Sequence, residues 1–205
     1  EKINNLGGKF YFNHTLEKFI HSNNEIRELN FLGRKEIKVK NNDVIISSLP
    51  ITLTSKLLGY KSDLSFRGIK SVYVSYKKQS ILPEQLHWLY YGDDEILFNR
   101  VTEPKKLTKH IAPPNKTYLT AEITFSRGDE IDSMSDDEVC EKVSDQLEKV
   151  NLAKKMDVDD YSTNVEPFVY PLMHQGYQEE LAKTRASISK FRQLYSIGTG
   201  GDFNY

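Results

Sequence analysis

The sequence predicts an α+β fold, in which a mostly antiparallel sheet with covering helices is flanked by remnants of an α/β domain. Two interior segments, 69–76 and 117–125, alternate apolar and polar residues with the period of two that half-buried strands show. Two later segments, behind Ser135 and behind Gly176, carry apolar residues at helical spacing. Near each end a short apolar run stops at proline or glycine, which is typical of buried strands in α/β domains.

The N-terminal region predicts several short strands and one helix. Gly7-Gly8 ends a helix, because glycine tolerates the left-handed conformation that follows a helix C-terminus. Strands are predicted at 9–13, 15–21, 25–31 and 36–39, with Asn23-Asn24 as a hairpin turn. The continuous apolar run at 44–46 favours a strand buried on both faces, and Pro50 then opens a short helix that reaches about Leu58.

The interior predicts a separate antiparallel sheet. Its strands are expected at 69–76, 86–91, 96–101, 117–125 and 159–170, with Gly92-Asp93-Asp94 as a hairpin loop. The alternation in the fourth strand places four apolar residues on one face: Leu119, Ala121, Ile123 and Phe125. Trp88, the only tryptophan, is expected in the core.

Two helices are predicted to cover this sheet and to lead out of it. Ser135 and Glu138 have the spacing of a capping box, in which each side chain satisfies a backbone N–H group of the other residue. The helix they open has apolar residues on one side at Val139, Val143, Leu147 and Val150. The second helix, after Gly176, has an apolar side made of Tyr177, Leu181, Ile188 and Phe191.

Composition limits the function classes. The 205 residues suit one large domain or one and a half small ones, and a net charge of −1 argues against nucleic-acid binding. The single cysteine, Cys140, allows neither an internal disulfide nor a thiolate metal cluster, and no other metal or nucleophile motif occurs. No apolar run approaches the roughly 18 residues of a membrane span, and no signal peptide is visible, so a cytoplasmic location is expected.

The most informative segment is the tail from Leu194 to Tyr205, which reads LYSIGTGGDFNY. A short apolar strand enters a glycine cluster, where backbone N–H groups can approach a phosphate closely. The sequence shows no helix after this cluster. We interpret the ending as a cut through a nucleotide-binding motif, so the chain is expected to be a piece of a larger protein.

Together with VYPLMHQGY at 169–177, the tail resembles the C-terminal part of the FAD-dependent amine oxidase superfamily, which includes protoporphyrinogen oxidase and UDP-galactopyranose mutase. The segments 7–8, 15–19 and 43–50 resemble the middle of the same flavoproteins. The resemblance implies three parts. Residues 1–58 belong to the FAD-binding domain, 59–175 form the substrate-binding sheet domain, and 176–205 return into the FAD-binding domain.

The same resemblance implies that FAD is the cofactor of the intact protein. The residues it places against FAD are Leu16, Ser48, Pro50, Gly198, Thr199, Gly200, Gly201 and Asp202. Thr199 stands where the family often has arginine or aspartate, so the phosphate lacks its usual partner there. The G-x-G-x-x-G fingerprint of an N-terminal βαβ unit does not occur in this sequence, so we do not expect this piece alone to bind FAD. A glycine-rich turn without a ligand is the alternative.

Substrate residues are implied in two places, and catalytic residues are unknown. Tyr170 and Tyr177 match the family's "YP…GY" segment, which lies near the flavin; ordinary core aromatics are the alternative. The string FNRVTEPK resembles a subgroup near UDP-galactopyranose mutase, associated with surface polysaccharide (LPS) synthesis. Arg100 in this string could grip the diphosphate of a nucleotide sugar bidentately, or form a salt bridge across the sheet to Glu122. Glu122 interrupts a strand rich in apolar residues, and if it faces the cavity it is itself a candidate substrate-binding residue, as the partner of Arg100 or as an acid or base. Lys105 and the lysines after it are expected to be solvated.

These features lead to one principal expectation and two alternatives. The chain is expected to be the substrate-binding portion of an FAD-dependent, UDP-galactopyranose mutase-like oxidoreductase that acts on a nucleotide sugar. One alternative is a flavin oxidase of the amine oxidase or protoporphyrinogen oxidase type. The other is a non-catalytic module that binds a protein or polymer partner. The sequence leaves the oligomeric state open.

Overall fold

The computed structural model describes residues 2–204, so Glu1 and the last residue of the predicted tail, Tyr205, lie outside the described residues. The chain forms two units. Unit 1 contains the described residues up to Ser65 and those from Pro171 onward, and unit 2 is Phe66–Tyr170. The units therefore divide after residues 65 and 170, whereas the divisions expected from the sequence lay after residues 58 and 175.

The strands of residues 2–204 are β1 (Leu16–Ser22), β2 (Glu25–Phe31), β3 (Lys35–Lys38), β4 (Ile45–Ser47), β5 (Phe66–Tyr76), β6 (Trp88–Tyr90), β7 (Arg100–Thr102), β8 (Thr117–Phe125), β9 (Val158–Pro171) and β10 (Leu194–Ser196). The α-helices are α1 (Lys2–Asn5), α2 (Ile51–Leu57), α3 (Pro104–Leu107), α4 (Glu130–Ser133), α5 (Asp136–Lys149), α6 (Tyr177–Ile188) and α7 (Gly198–Asp202). Two 3₁₀ turns cover Lys109–Ile111 and Lys155–Asp157.

The first sheet of unit 1 is antiparallel, in the order β1-β2-β3. Asn23 and Asn24 both have positive φ, 51° and 61°, as the favoured two-residue hairpin turn requires, so the predicted turn is confirmed. The strand predicted at 9–13 is wrong, because these residues form no strand. Their aromatic residues favour extended backbone, but β propensity is realised only beside a partner strand.

The second sheet of unit 1 pairs a strand from the N-terminal quarter of the chain with one near its C-terminal end. β10 runs parallel to β4, with Leu194 opposite Ile45 and Ser196 opposite Ser47. The Ile45 N–H donates to the Gln193 carbonyl at 2.7 Å, which fixes the register at the start of both strands. Segments 43–48 and 194–197, which the resemblance assigns to one domain, therefore lie side by side.

Two expectations about this sheet are wrong. The run at 44–46 is not buried on both faces, because Val44 and Ile46 are 64% and 65% exposed. Only one face of β4 is covered by the described residues. The sequence shows no helix at the glycine cluster, but the cluster itself forms the short helix α7, which Phe203 ends in a left-handed conformation. α2 packs against both α6 and α7.

Unit 2 is built on one five-stranded sheet, in the order β6-β7-β8-β5-β9. β5 and β8 pair antiparallel over nine positions, from Gly68 opposite Phe125 to Tyr76 opposite Thr117. α5 covers one face of this sheet. Six of the eight apolar residues predicted for that face of β8 and for α5 belong to one buried cluster: Leu119, Ala121, Ile123, Val139, Val143 and Leu147. Val150 packs partly buried against this cluster, and Phe125 is buried but does not belong to it. Both hydrogen bonds of the predicted capping box are present.

The hairpin predicted at 86–91 and 96–101 exists, but its strands are shorter. Only Trp88–Tyr90 and Arg100–Thr102 pair. Residues 96–99 turn inward instead, because Ile96 and Phe98 are buried and the Leu97 N–H donates to Gln146 Oε1 on α5 at 2.8 Å.

Candidate functional site

The glycine turn, residues 198–201 at the start of α7, lies at the carboxyl ends of the two parallel strands. Gly198 follows β10 with φ +79°, a conformation that favours glycine, and a Cβ built on it would meet nothing within 4 Å. The next two glycines are packed against their own chain. A Cβ on Gly200 would lie 3.4 Å from Pro50 Cα, and one on Gly201 would lie 2.8 Å from Ser196 Oγ. The turn is therefore packed against its own chain at Gly200 and Gly201, whereas the space beside Gly198 is open.

This geometry fits the pyrophosphate of a dinucleotide. Ligands of open α/β sheets bind beyond the carboxyl ends of parallel strands, and Ser48 and Gly198 both occupy that edge. Ser48, Gly198 and Thr199 are exposed, so a phosphate could approach their backbone. Arg185, which the sequence reasoning missed, donates from Nη2 to the Asp202 carbonyl at 2.8 Å. The Arg185 guanidinium therefore places a positive charge beside the glycine turn, which contains no basic residue of its own.

The remaining residues implied for FAD and for the "YP…GY" segment are spread over different elements. Leu16 begins β1 in the antiparallel sheet of unit 1, where it pairs with Phe31. Tyr177 begins α6, also in unit 1, and its ring centroid lies 5.9 Å from that of Phe203, directly behind the glycine turn. Tyr170 is half-buried near the end of β9, in unit 2.

Arg100 and Glu122 face each other on adjacent strands of unit 2. The Arg100 Nη2 atom lies 2.7 Å from Glu122 Oε1 and 2.6 Å from Oε2, so the salt bridge weighed from the sequence is present. The hydrogen bond to Glu122 raises the pKa of the Arg100 guanidinium above its usual value. Nη1 makes a longer contact of 3.4 Å with the Tyr90 hydroxyl, and the guanidinium carbon lies 5.9 Å from the Tyr90 ring centroid.

A cleft of about 340 Å³ opens over this pair on the sheet face opposite α5. Its lining includes Trp88, Tyr90 and Leu107 beside Arg100 and Glu122. The expectation that Trp88 is in the core is wrong, because its side chain is 48% exposed. The period of two explains this. Leu89 points to the core, and Trp88 and Tyr90 on either side of it share the opposite face. The alternation in HWLYY, at 87–91, could have revealed that Trp88 and Tyr90 share the face opposite the core.

Glu103, close to this cleft in sequence, has a structural role that the sequence reasoning missed. It is fully buried. Its carboxylate accepts hydrogen bonds from the Ile81 and Leu82 N–H groups and from the Ser80 and Thr117 hydroxyls, at 2.7 to 3.2 Å. Lys105 is not simply solvated, because its Nζ donates to three backbone carbonyls, those of Pro113, Pro114 and Lys116. Both side chains tie loops to the sheet.

Within residues 2–204, no helix is long and apolar enough to cross a membrane. In the same described part of the chain, no group of three or more His, Cys, Asp and Glu side chains could hold a metal ion.

No protein-family model and no curated protein matches the chain. Solved structures do match. A reduced UDP-galactopyranose mutase shares the fold with a TM-score of 0.72 over 87% of this chain, at 17% identity. A proposed protoporphyrinogen oxidase from Exiguobacterium sp. 255-15 matches with a TM-score of 0.67 over 91% of this chain, at 16% identity. A putrescine oxidase double mutant matches with a TM-score of 0.53 over 78% of this chain, at 14% identity.

These similarities confirm, at the level of the fold, the resemblance predicted from the sequence. The chain has the fold of part of each of these three proteins. It spans 39% of the mutase, 42% of the Exiguobacterium protein and 36% of the putrescine oxidase, so it corresponds to less than half of each.

Proposed function

We propose that the chain is the substrate-binding portion of an FAD-dependent oxidoreductase. In this proposal unit 1 contributes part of the FAD-binding domain and unit 2 the substrate side, close to the divisions expected from the sequence. The observation that carries it is the parallel pairing of β4 with β10. This pairing brings Ser48 and the glycine turn to one sheet edge, which is where dinucleotides bind in α/β folds.

A second observation supports the proposal. One face of the β4–β10 sheet carries four apolar residues that are 48% to 65% exposed: Val44, Ile46, Tyr195 and Ile197. Parallel strands are normally covered on both faces, and two strands alone are marginally stable. In the proposal, the remainder of the FAD-binding domain covers this face and completes the cradle. The piece alone would then bind FAD weakly or not at all.

The roles of the chain's own residues follow from the geometry. The backbone at Ser48, Gly198 and Thr199 would hold the pyrophosphate, with the Arg185 guanidinium as the nearby positive charge. Gly200 would keep the turn in position through its packing on Pro50, and Gly201 through its packing on Ser196. Bound flavin would supply hydride acceptance or, when reduced, a nucleophile toward a sugar carbon.

For the substrate, we propose a nucleotide sugar of surface polysaccharide synthesis, handled in the cytoplasm as by a UDP-galactopyranose mutase. The string FNRVTEPK and the fold similarity to the mutase support this choice. A flavin oxidase remains the second candidate. It is supported by the fold similarity to the proposed protoporphyrinogen oxidase and to the putrescine oxidase.

The test uses the protein at its natural length. We expect it to purify with flavin absorbance in the visible range and to isomerise UDP-galactopyranose only in the presence of dithionite. Turnover of an amine or porphyrinogen without a reductant would support the oxidase instead. A colourless protein that takes up no added FAD would contradict both versions.

A further inference from the structure

The cleft over β6, β7 and β8 has the composition of a small-molecule site. Two rows of side chains cross the strands in register. One row is Tyr90, Arg100 and Glu122, and the other is Trp88, Thr102 and Thr120. The rows combine large aromatic surface with hydroxyl, carboxylate and guanidinium groups. At about 340 Å³ the cleft lies at the lower end of the range for ligand pockets, which suits a single ring.

The charge in this cleft is balanced. Arg100 and Glu122 are its only charged lining residues, and both carboxylate oxygens contact the same guanidinium nitrogen. An arginine that binds a diphosphate needs its charge and its planar fork free for the anion. Here Glu122 offsets that charge and would repel a second anion. The compensated pair instead presents a donor and an acceptor side by side, which matches a hydroxyl group because a hydroxyl both donates and accepts.

The two aromatic residues of the cleft form a platform, which means that they offer one flat surface to a ligand and do not enclose it between facing rings. Trp88 and Tyr90 lie two residues apart on one strand, so they stand side by side on the same face, and they are 48% and 68% exposed. The face of an aromatic ring carries negative quadrupole charge. The C–H groups on one side of a pyranose ring are weakly positive, so they can stack on this platform while the hydroxyls reach the polar row.

We propose that this cleft binds the uncharged pyranose ring of a sugar, stacked on Trp88 with its hydroxyls on Arg100 and Glu122, and does not bind a diphosphate. The inference rests on the proposed function in taking a nucleotide sugar as the substrate. It assigns this cleft to the glycosyl end of that substrate. Ring binding itself requires no flavin.

Two probes separate the two ends of the substrate. Methyl α-D-galactopyranoside and inorganic pyrophosphate are titrated separately into the natural-length protein, whose flavin content is measured independently. Binding is followed by saturation-transfer NMR for the glycoside. For both probes it is also followed by the ¹⁹F resonance of 5-fluorotryptophan at Trp88, assigned by its loss in W88F. We expect the glycoside to shift this resonance at millimolar concentrations and pyrophosphate to leave it unchanged.

Three variants test the individual contacts. W88A removes the platform and should weaken glycoside binding roughly tenfold, the scale of one aromatic contact. Y161A is the matched control, because Tyr161 is an exposed aromatic residue on β9, at the opposite edge of the same sheet, and it should not change binding. E122Q leaves Arg100 uncompensated and should make pyrophosphate shift the Trp88 resonance. Hydrogen exchange of β8 verifies that each variant is folded.

The outcomes distinguish this inference from the proposed function. Flavin-containing protein that binds pyrophosphate but not the glycoside at Trp88 overturns the inference and leaves the function standing. A colourless protein that still binds the glycoside at Trp88 supports the inference and removes the flavin function. Equal glycoside affinity in W88A and the wild type also overturns the inference, whatever the flavin content.

Discussion

Units 1 and 2 differ in how completely each buries its apolar surface. Unit 2 has a five-stranded sheet with α5 packed on one face, and its central apolar residues, such as Val72, Val101 and Ala121, are fully buried. Unit 1 has a two-stranded parallel sheet in which Ile46 and Tyr195 lie opposite each other and are 65% and 55% exposed. A parallel sheet needs cover on both faces. The central apolar residues of the unit 2 sheet are therefore covered by described residues, whereas one face of the parallel sheet in unit 1 is exposed.

The candidate sites of the two units also depend on the amino-acid sequence in different ways. In unit 1 the important groups are backbone atoms, which glycine and proline expose or position. In unit 2 the important groups are side chains whose spacing on strands places them on one face. Substitutions should therefore act on the two units through different physical effects, and the predictions below follow that division from the largest effect to the smallest.

The largest effect is expected at the buried carboxylate of unit 2. E103A removes the acceptor for two backbone N–H groups and two hydroxyls, and it should destabilise unit 2 by about 3 kcal/mol or more. Hydrogen exchange should accelerate in β5 and β8 and not in β1 or β2. E84A, at an exposed glutamate, is the control and should stay within about 0.5 kcal/mol of the wild type. Equal effects of the two variants would refute the structural role of Glu103.

In unit 1 the expected effect is smaller and comes from the backbone. G198A forces an L-residue into φ +79° and should destabilise the glycine turn by about 1 to 2 kcal/mol, although its Cβ meets no atom within 4 Å. G200A is the matched control, because Gly200 has no positive φ and its Cβ makes ordinary contact with Pro50. Local stability is measured by hydrogen exchange at 194–204. If both variants behave alike, the left-handed conformation does not decide the requirement for glycine.

The capping box of α5 should contribute about 1 kcal/mol, measured as the loss of unfolding free energy in S135A. The hydrogen bond from the Ser135 side chain holds the pKa of Glu138 below its usual 4.5. A lowered folded-state pKa means that this contribution is complete above the unfolded pKa and is lost as the pH falls through the folded value. The difference between the wild type and S135A should therefore shrink below about pH 4.5. A constant difference down to pH 2 would contradict the contribution of the hydrogen bond between Ser135 and the Glu138 carboxylate.

The smallest effect is expected at Cys140, the only cysteine. Its side chain is fully buried on α5, and burial raises the pKa of the thiol to about 11. A thiol reagent should not label the folded protein at neutral pH and should label it at the rate at which unit 2 opens. Labelling in E103A should therefore be faster than in E84A. Rapid labelling of the wild type would show that the unit 2 core is open.

The sequence predicted the elements whose signal is local. The bounds of β8 follow from alternation, the start of β2 from the hairpin turn before it, and the capping box of α5 from a four-residue motif. The strand at 9–13 failed because aromatic residues with high β propensity do not by themselves supply a partner strand. The parallel pairing of β4 with β10 joins segments far apart in the sequence, so only the family resemblance could predict it.

The candidate site was predictable to a similar extent. Arg100 and Glu122 were singled out from residue type, and the structure shows that they pair. Trp88 was misplaced because tryptophan is usually buried, although the alternation around Leu89 favours the exposed face. Glu103 was missed because its four donors come from residues 80–82 and Thr117, which no local pattern connects.

Hydrogen exchange of the natural-length protein, compared with and without its flavin, tests most directly whether the glycine turn of this chain contacts the cofactor. We predict that flavin slows exchange at 198–202 and in the segment after β4, while β8 of unit 2 stays unchanged and serves as the internal reference. A protein that holds flavin stoichiometrically but shows the same exchange at 198–202 in both states would contradict the account.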